Sequence, residues 1–119
     1  MAVGFDLAAA ECALSLREEL KDLRVVAVIP FEGMQHRFKQ SQRELFDRIV
    51  GEADEVITLA SRYSASVYMM RNNYLVDNSS ATIAYFTGEK GGTAYTVHRA
   101  VKSLSYVVNL YNNPQRKLF

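Results

Sequence analysis

A chain of 119 residues, 49% apolar and 23% charged, has the length of one domain with a core of modest size. Its formal net charge of +1 singles out no polyanionic partner, and no apolar run nears the roughly 20 residues that cross a bilayer. The lone cysteine, Cys12, excludes an internal disulfide and sits in no metal-ligand spacing, and no basic flank leads into an apolar N-terminal core, so a cytoplasmic protein is expected.

Residues 5–21 read as a helix, with Asp6 as N-cap and Leu7, Ala10, Leu14 and Leu20 on one face. Cys12, among Ala10, Ala13 and Leu14, reads as a buried and inert thiol. Residues 24–30, "RVVAVIP", form a continuous β-branched run ended by proline, the pattern of a strand covered on both faces. Residues 41–53 are helical, with Leu45, Ile49 and Val50 inward, and residues 55–60 form a second strand. Residues 64–80 show helical spacing through Val67, Met70, Tyr74 and Leu75. A third strand follows at 81–88, a helix at 92–104 and a fourth strand at 105–112. The order α-β-α-β-α-β-α-β is that of an α/β fold with a parallel sheet. Residues 1–112 are expected to form a single domain, with 113–119 as a frayed tail. A doubly wound domain opens on a strand, whereas this chain opens on a helix, so it reads as if its first part were missing.

Ligands of open parallel sheets bind beyond the carboxyl ends of the strands, so the residues expected there carry the chemistry. The richest stretch is "TGEKGGTAYT", 87–96. Gly88, Gly91 and Gly92 allow close approach, and the helix that starts near Thr93 points its N–H groups and positive dipole end at the loop. That suits a phosphate, a ribose or a carboxylate, yet the stretch is neither a P-loop nor a G-x-G-x-x-G turn, and a plain tight connection explains it as well. Arg71 in "MMRNNY" is either a solvent-facing cation or an anion clamp, and Asn72 and Asn73 add amides beside it. Asp6, Glu11 and Glu32 are the carboxylates near this edge. His36 and His98 are isolated and read as surface or helix-packed side chains, with no metal-ligand pattern. Tyr68, Tyr74, Tyr85 and Tyr95 read as core or pocket wall. After Glu89 no acid remains while Lys90, Arg99, Lys102, Arg116 and Lys117 do, so the C-terminal quarter is basic.

The segments "MAVGFDLAAAE", "AVIPFEGMQHRF" and "YMMRNNYLVDNSSATIAYFTGEKGGTAYTV", in this order and spacing, resemble the YpsA-like family of the SLOG superfamily, which also holds DprA and the lonely guy phosphoribohydrolases. The resemblance runs from Met1 to about Asn112. It implies a Rossmann-like fold and a bacterial protein that binds or senses a nucleotide derivative, ADP-ribose- or NAD-like or a mononucleotide. The positions that match are Gly4, Asp6, Phe31, Glu32, Arg71, Asn72, Gly91, Gly92 and Thr93. It also implies that the family's first strand, helix and second strand, roughly 50–60 residues, are absent here. Strand edges left open in that way favour pairing with another copy, so a homodimer is expected.

An enzyme is the second expectation, a nucleoside monophosphate phosphoribohydrolase. It stands behind simple binding, because that branch carries Arg-Lys where this chain has Arg71-Asn72, and a glutamate where this chain has Val97, His98 and Arg99. An oxocarbenium-like transition state needs a carboxylate, which would fall to Glu11 or Glu32. Binding of single-stranded DNA, as in DNA-processing relatives, is the third, supported by the basic C-terminal quarter alone.

Overall fold

The computed structural model describes residues 4–85, 88, 92–102 and 106–111. The chain divides into two compact units, Met1–Val67 and Tyr68–Phe119.

The first unit holds α1 (Phe5–Glu19), β1 (Val26–Ile29), a short 3-10 helix (Met34–Arg37), α2 (Gln40–Glu52) and β2 (Glu55–Thr58). β1 and β2 pair in parallel, Val26 opposite Glu55 and Ile29 opposite Thr58. The apolar run predicts a covered strand, and Ala27, Val28 and Ile29 are buried, whereas Val26 is exposed. Leu7, Ala27, Ile29, Met34, Phe46 and Ile49 make the core, with Ala10, Leu14, Leu45 and Val50 packed at its margin. Burying each large side chain contributes about 1.5–3 kcal/mol. α2 starts with Gln42 Oε1 accepting from the Lys39 N–H at 3.1 Å, which satisfies a donor that the helix itself leaves unpaired.

Three expectations about this unit are corrected. The N-cap of α1 is Gly4, at φ 79°, and Asp6 lies inside the first turn, where its charge favours the helix dipole. Cys12 is exposed. At 100° per residue it points about 200° away from both Ala10 and Leu14, so its apolar neighbours in sequence are not its neighbours in space. Leu20, expected inward, is also exposed, because α1 ends before it.

The second unit holds α3 (Val67–Asp77), β3 (Ala81–Ala84), α4 (Gly92–Lys102) and β4 (Tyr106–Asn109). β3 and β4 are parallel, Ala81 opposite Tyr106 and Ala84 opposite Asn109. Val76, Ala84, Val97, Ala100 and Val107 form the core. Asn78 ends α3 by donating to the Tyr74 carbonyl from its backbone and from its side-chain amide. Of the expected inward stripe of α3, Val67 is buried and Tyr74 half-buried, but the rest is not. Met70 and Leu75 are exposed, while Arg71 and Val76, one residue further on, are buried. With apolar residues at 67–70 and 74–76, the sequence of α3 marks no single face. Among the described residues, four α-helices and four strands, in two parallel pairs, give an α/β, Rossmann-like fold.

Two carboxylates tie element ends together, Asp54 a helix end to a strand start and Asp77 two helix ends. Asp54 Oδ2 accepts from the Val25 N–H at 2.7 Å and from Arg17 at 2.9 Å, and Asp77 accepts two bonds from Arg99, at 3.1 and 2.9 Å. The Val25 N–H and then Arg17 hold the Asp54 carboxyl below its ordinary 3.8, and Arg99 does the same for Asp77. A carboxylate whose pKa is depressed by folding stabilises the native state above its unfolded pKa and loses that contribution as pH falls through the folded one. Stability is therefore expected to decline below about pH 4, and urea midpoints of Asp54→Asn and Asp77→Asn should fall less steeply with acid than the wild type's. An unchanged slope in both variants would refute this.

Candidate functional site

Arg17, in the last turn of α1, bonds Asp54, which immediately precedes β2. The C-terminus of α1 therefore lies at the amino ends of β1 and β2. Its start, about 21 Å back along the axis, reaches the carboxyl ends of these strands, each about 13 Å long. Leu7 shares the core with Ile29, the last residue of β1, and with Met34 beyond it. The sequence thus places Gly4 and Asp6 at the same strand edge as Phe31 and Glu32. Phe31 packs on the core and meets Tyr63 edge to face, with ring centroids 5.6 Å apart. Glu32 is exposed, and its N–H donates to the Ala60 carbonyl at 3.1 Å, tying the loop after β1 to the end of β2. Gly33 then turns at φ 80°, where a Cβ would stand 3.1 Å from the His36 ring. Glu11 is elsewhere: exposed on the flank of α1, it pairs with Arg48 of α2.

In the second unit α3 and α4 each lead, across three residues, into the paired amino ends of β3 and β4. The Asp77–Arg99 ion pair joins the ends of the two helices. Arg71 and Thr93 each lie six residues upstream of it, about 9 Å along their own helix. Arg71 is 5% exposed, which excludes the solvent-facing reading of this side chain. Its Nε–H donates to Asn72 Oδ1 at 2.7 Å, and its guanidinium carbon stands 5.9 Å from the centre of the Tyr68 ring. A buried guanidinium is costly unless its donors are satisfied, so such a position marks a place built to hold it. Asn73 Oδ1 is buried and has no hydrogen-bond partner among the described residues. The sequence names Asn73 only as a neighbour of Arg71; an amide in a largely apolar helix is the signal that singles it out.

α4 starts at Gly92, and Thr93 is exposed in its first turn. No acidic residue occupies that turn, and Arg99 and Lys102 occupy the last one, so the helix charges leave its positive end open to an anion. Gly91, and with it most of the glycine loop and the tail 113–119, lies outside the described residues. His36 and His98 are exposed, and among the described residues no three His, Cys, Asp or Glu side chains gather as metal ligands would. No helix among the described residues is long and apolar enough to cross a membrane.

The YpsA family model, described as the YspA SLOG family, matches residues 1–112. The chain is also similar to a UPF0398 protein of Bacillus velezensis, with 29% identity over 103 residues, 84% of this chain and 57% of that protein. UPF0398 proteins of Bacillus thuringiensis (strain Al Hakam) and Bacillus cereus (strain AH187) are each 26% identical over 112 residues, 92% of this chain and 61% of theirs. The chain thus spans about six-tenths of the length of these relatives.

Proposed function

The chain belongs to the YpsA SLOG family, and from that premise we propose that it binds a nucleotide derivative, of the ADP-ribose, NAD or mononucleotide type, as a binding or sensing domain of the cytoplasm. A phosphate would rest at the start of α4, on Gly92 and Thr93, with Arg71 as its clamp and Asn72 holding the guanidinium in place. The observation that carries this reading is the Asp77–Arg99 pair, which joins the ends of α3 and α4, so that a buried planar cation and an acid-free helix start each lie six residues up their own helix from one fixed point. A guanidinium offers two parallel bonds to phosphate, and a helix start offers N–H groups and a positive dipole end.

Calorimetric titration with ADP-ribose, NAD and AMP tests the proposal. Saturable binding of at least one is expected, and no heat from any of the three overturns it. A homodimer is the solution state we propose, since the strand residues Val26, Ile83 and Tyr106 are exposed apolar side chains. Light scattering should return twice the mass of one chain; the mass of a single chain would sink this part.

A further inference from the structure

The carboxyl edge of β3 and β4 carries a second feature, two tyrosines, and we propose that Tyr85 and Tyr111 form a stacking platform for the aromatic base of the bound nucleotide. The inference rests on the phosphate reading above and names the other half of the ligand.

Tyr85 directly follows β3, and Tyr111 lies two residues beyond β4. The Leu110 N–H donates to the Ala84 carbonyl at 2.9 Å, which carries the parallel ladder one step past the strands and sets the two tyrosines side by side. Their ring centroids are 5.1 Å apart with planes at 83°, an edge-to-face pair. Asn109 Oδ1 accepts from the Tyr111 N–H at 3.1 Å and so fixes the turn on which that ring sits. Tyr85 nevertheless remains 50% exposed. An apolar ring at a strand end is normally buried by its own fold. Here one tyrosine orients the other and leaves half of it open to solvent.

The position decides what this surface suits. Ligands of parallel sheets lie beyond the carboxyl strand ends. The start of α4 lies at that same edge of the same strand pair, because its end leads into the amino end of β4. A phosphate on one side and a flat ring surface on the other match the two ends of a nucleotide. An edge-packed tyrosine has little rotamer freedom left to lose, which favours stacking of a base against it. Every base has a π-face, so the platform selects for an aromatic base and not for one particular base.

The test uses titrations of ADP-ribose, and of ribose 5-phosphate as a probe without a base, against the wild type, Tyr85→Ala, Tyr85→Leu and Tyr85→Phe. The chain has seven tyrosines and no tryptophan, so the difference in tyrosine emission between wild type and Tyr85→Phe isolates the contribution of Tyr85. We expect Tyr85→Ala to weaken ADP-ribose about five- to a hundredfold, the range of one base–aromatic stack. Tyr85→Leu, which keeps apolar bulk but no π-face, should show the same loss, while Tyr85→Phe retains affinity. Ribose 5-phosphate should bind all four proteins alike. ADP-ribose affinity within about twofold of wild type in Tyr85→Ala and Tyr85→Leu overturns the platform and leaves the phosphate reading standing. An equal loss for ribose 5-phosphate also overturns it, because Tyr85 would then act on the phosphate end. A wild type that binds neither probe, nor NAD or AMP, overturns both proposals.

Discussion

Phe46→Ala is expected to destabilise the first unit by about 3–5 kcal/mol, the cost of emptying a large aromatic site in a packed core. Phe46 is 2% exposed, shares a cluster with Leu7, Ala27, Ile29, Met34 and Ile49, and meets the Phe38 ring edge to face at 5.6 Å. Its removal withdraws the largest side chain that α2 presents to that cluster, and Ala27 and Ile29 of β1 are already packed within it. Domains of this size are stable by only about 5–15 kcal/mol, so the loss is a large share of the total. With a urea slope of about 1–3 kcal/mol per molar, the midpoint should drop by a molar or more. Leu16→Ala, on the open side of α1 at 49% exposure, should move it by less than about 0.5 kcal/mol. A Phe46→Ala loss below about 1 kcal/mol would show that this cluster does not govern the stability of the unit.

The second large effect concerns affinity. Arg71→Lys keeps the charge and removes the planar fork that can hold two phosphate oxygens at once. Hydrogen bonds to charged groups are worth about 1.5–3 kcal/mol, so binding of ADP-ribose or AMP should weaken about ten- to a hundredfold. A lysine ammonium also cannot keep the guanidinium's place beside Asn72 and Tyr68, so the point charge is left less well oriented. Arg71→Met should abolish the measurable heat. Equal affinity in wild type and Arg71→Lys would reduce Arg71 to a structural cation buried in α3.

Periodicity carried most of the fold because the strands are β-branched runs and their pairing is parallel. Residues 24–30 and 55–60 predict what the structure trims to Val26–Ile29 and Glu55–Thr58. Helix ends were less legible. Asp6 has the chemistry of a cap, but Gly4 has the backbone freedom that the turn at φ 79° requires, and the backbone wins. α3 was the hardest to read, since Tyr68, Met69, Met70, Leu75 and Val76 spread apolar side chains around the helix. Which face turns inward is settled by packing in three dimensions, and that face buries Arg71. The 3-10 turn at Met34–Arg37 has no period long enough to detect. Of the candidate site, the acid-free start of α4 could be read from the sequence, whereas the burial of Arg71 could not. The Tyr85–Tyr111 contact depends on a strand register that links residues 26 positions apart.

The parallel pairings also govern how quickly the chain reaches this structure. Val26 meets Glu55 and Ala81 meets Tyr106, partners 29 and 25 residues apart. Neither pair can zip up as a hairpin, so each must close a long loop before its first ladder bond forms. The helices inside those loops, α2 and α4, shorten the span and can form within microseconds. Helix formation would then come first and strand docking would set the pace, in the intermediate range of rates typical of mixed α/β domains. During that interval the open strands are the sticky part of the molecule, so refolding yield should fall as protein concentration rises.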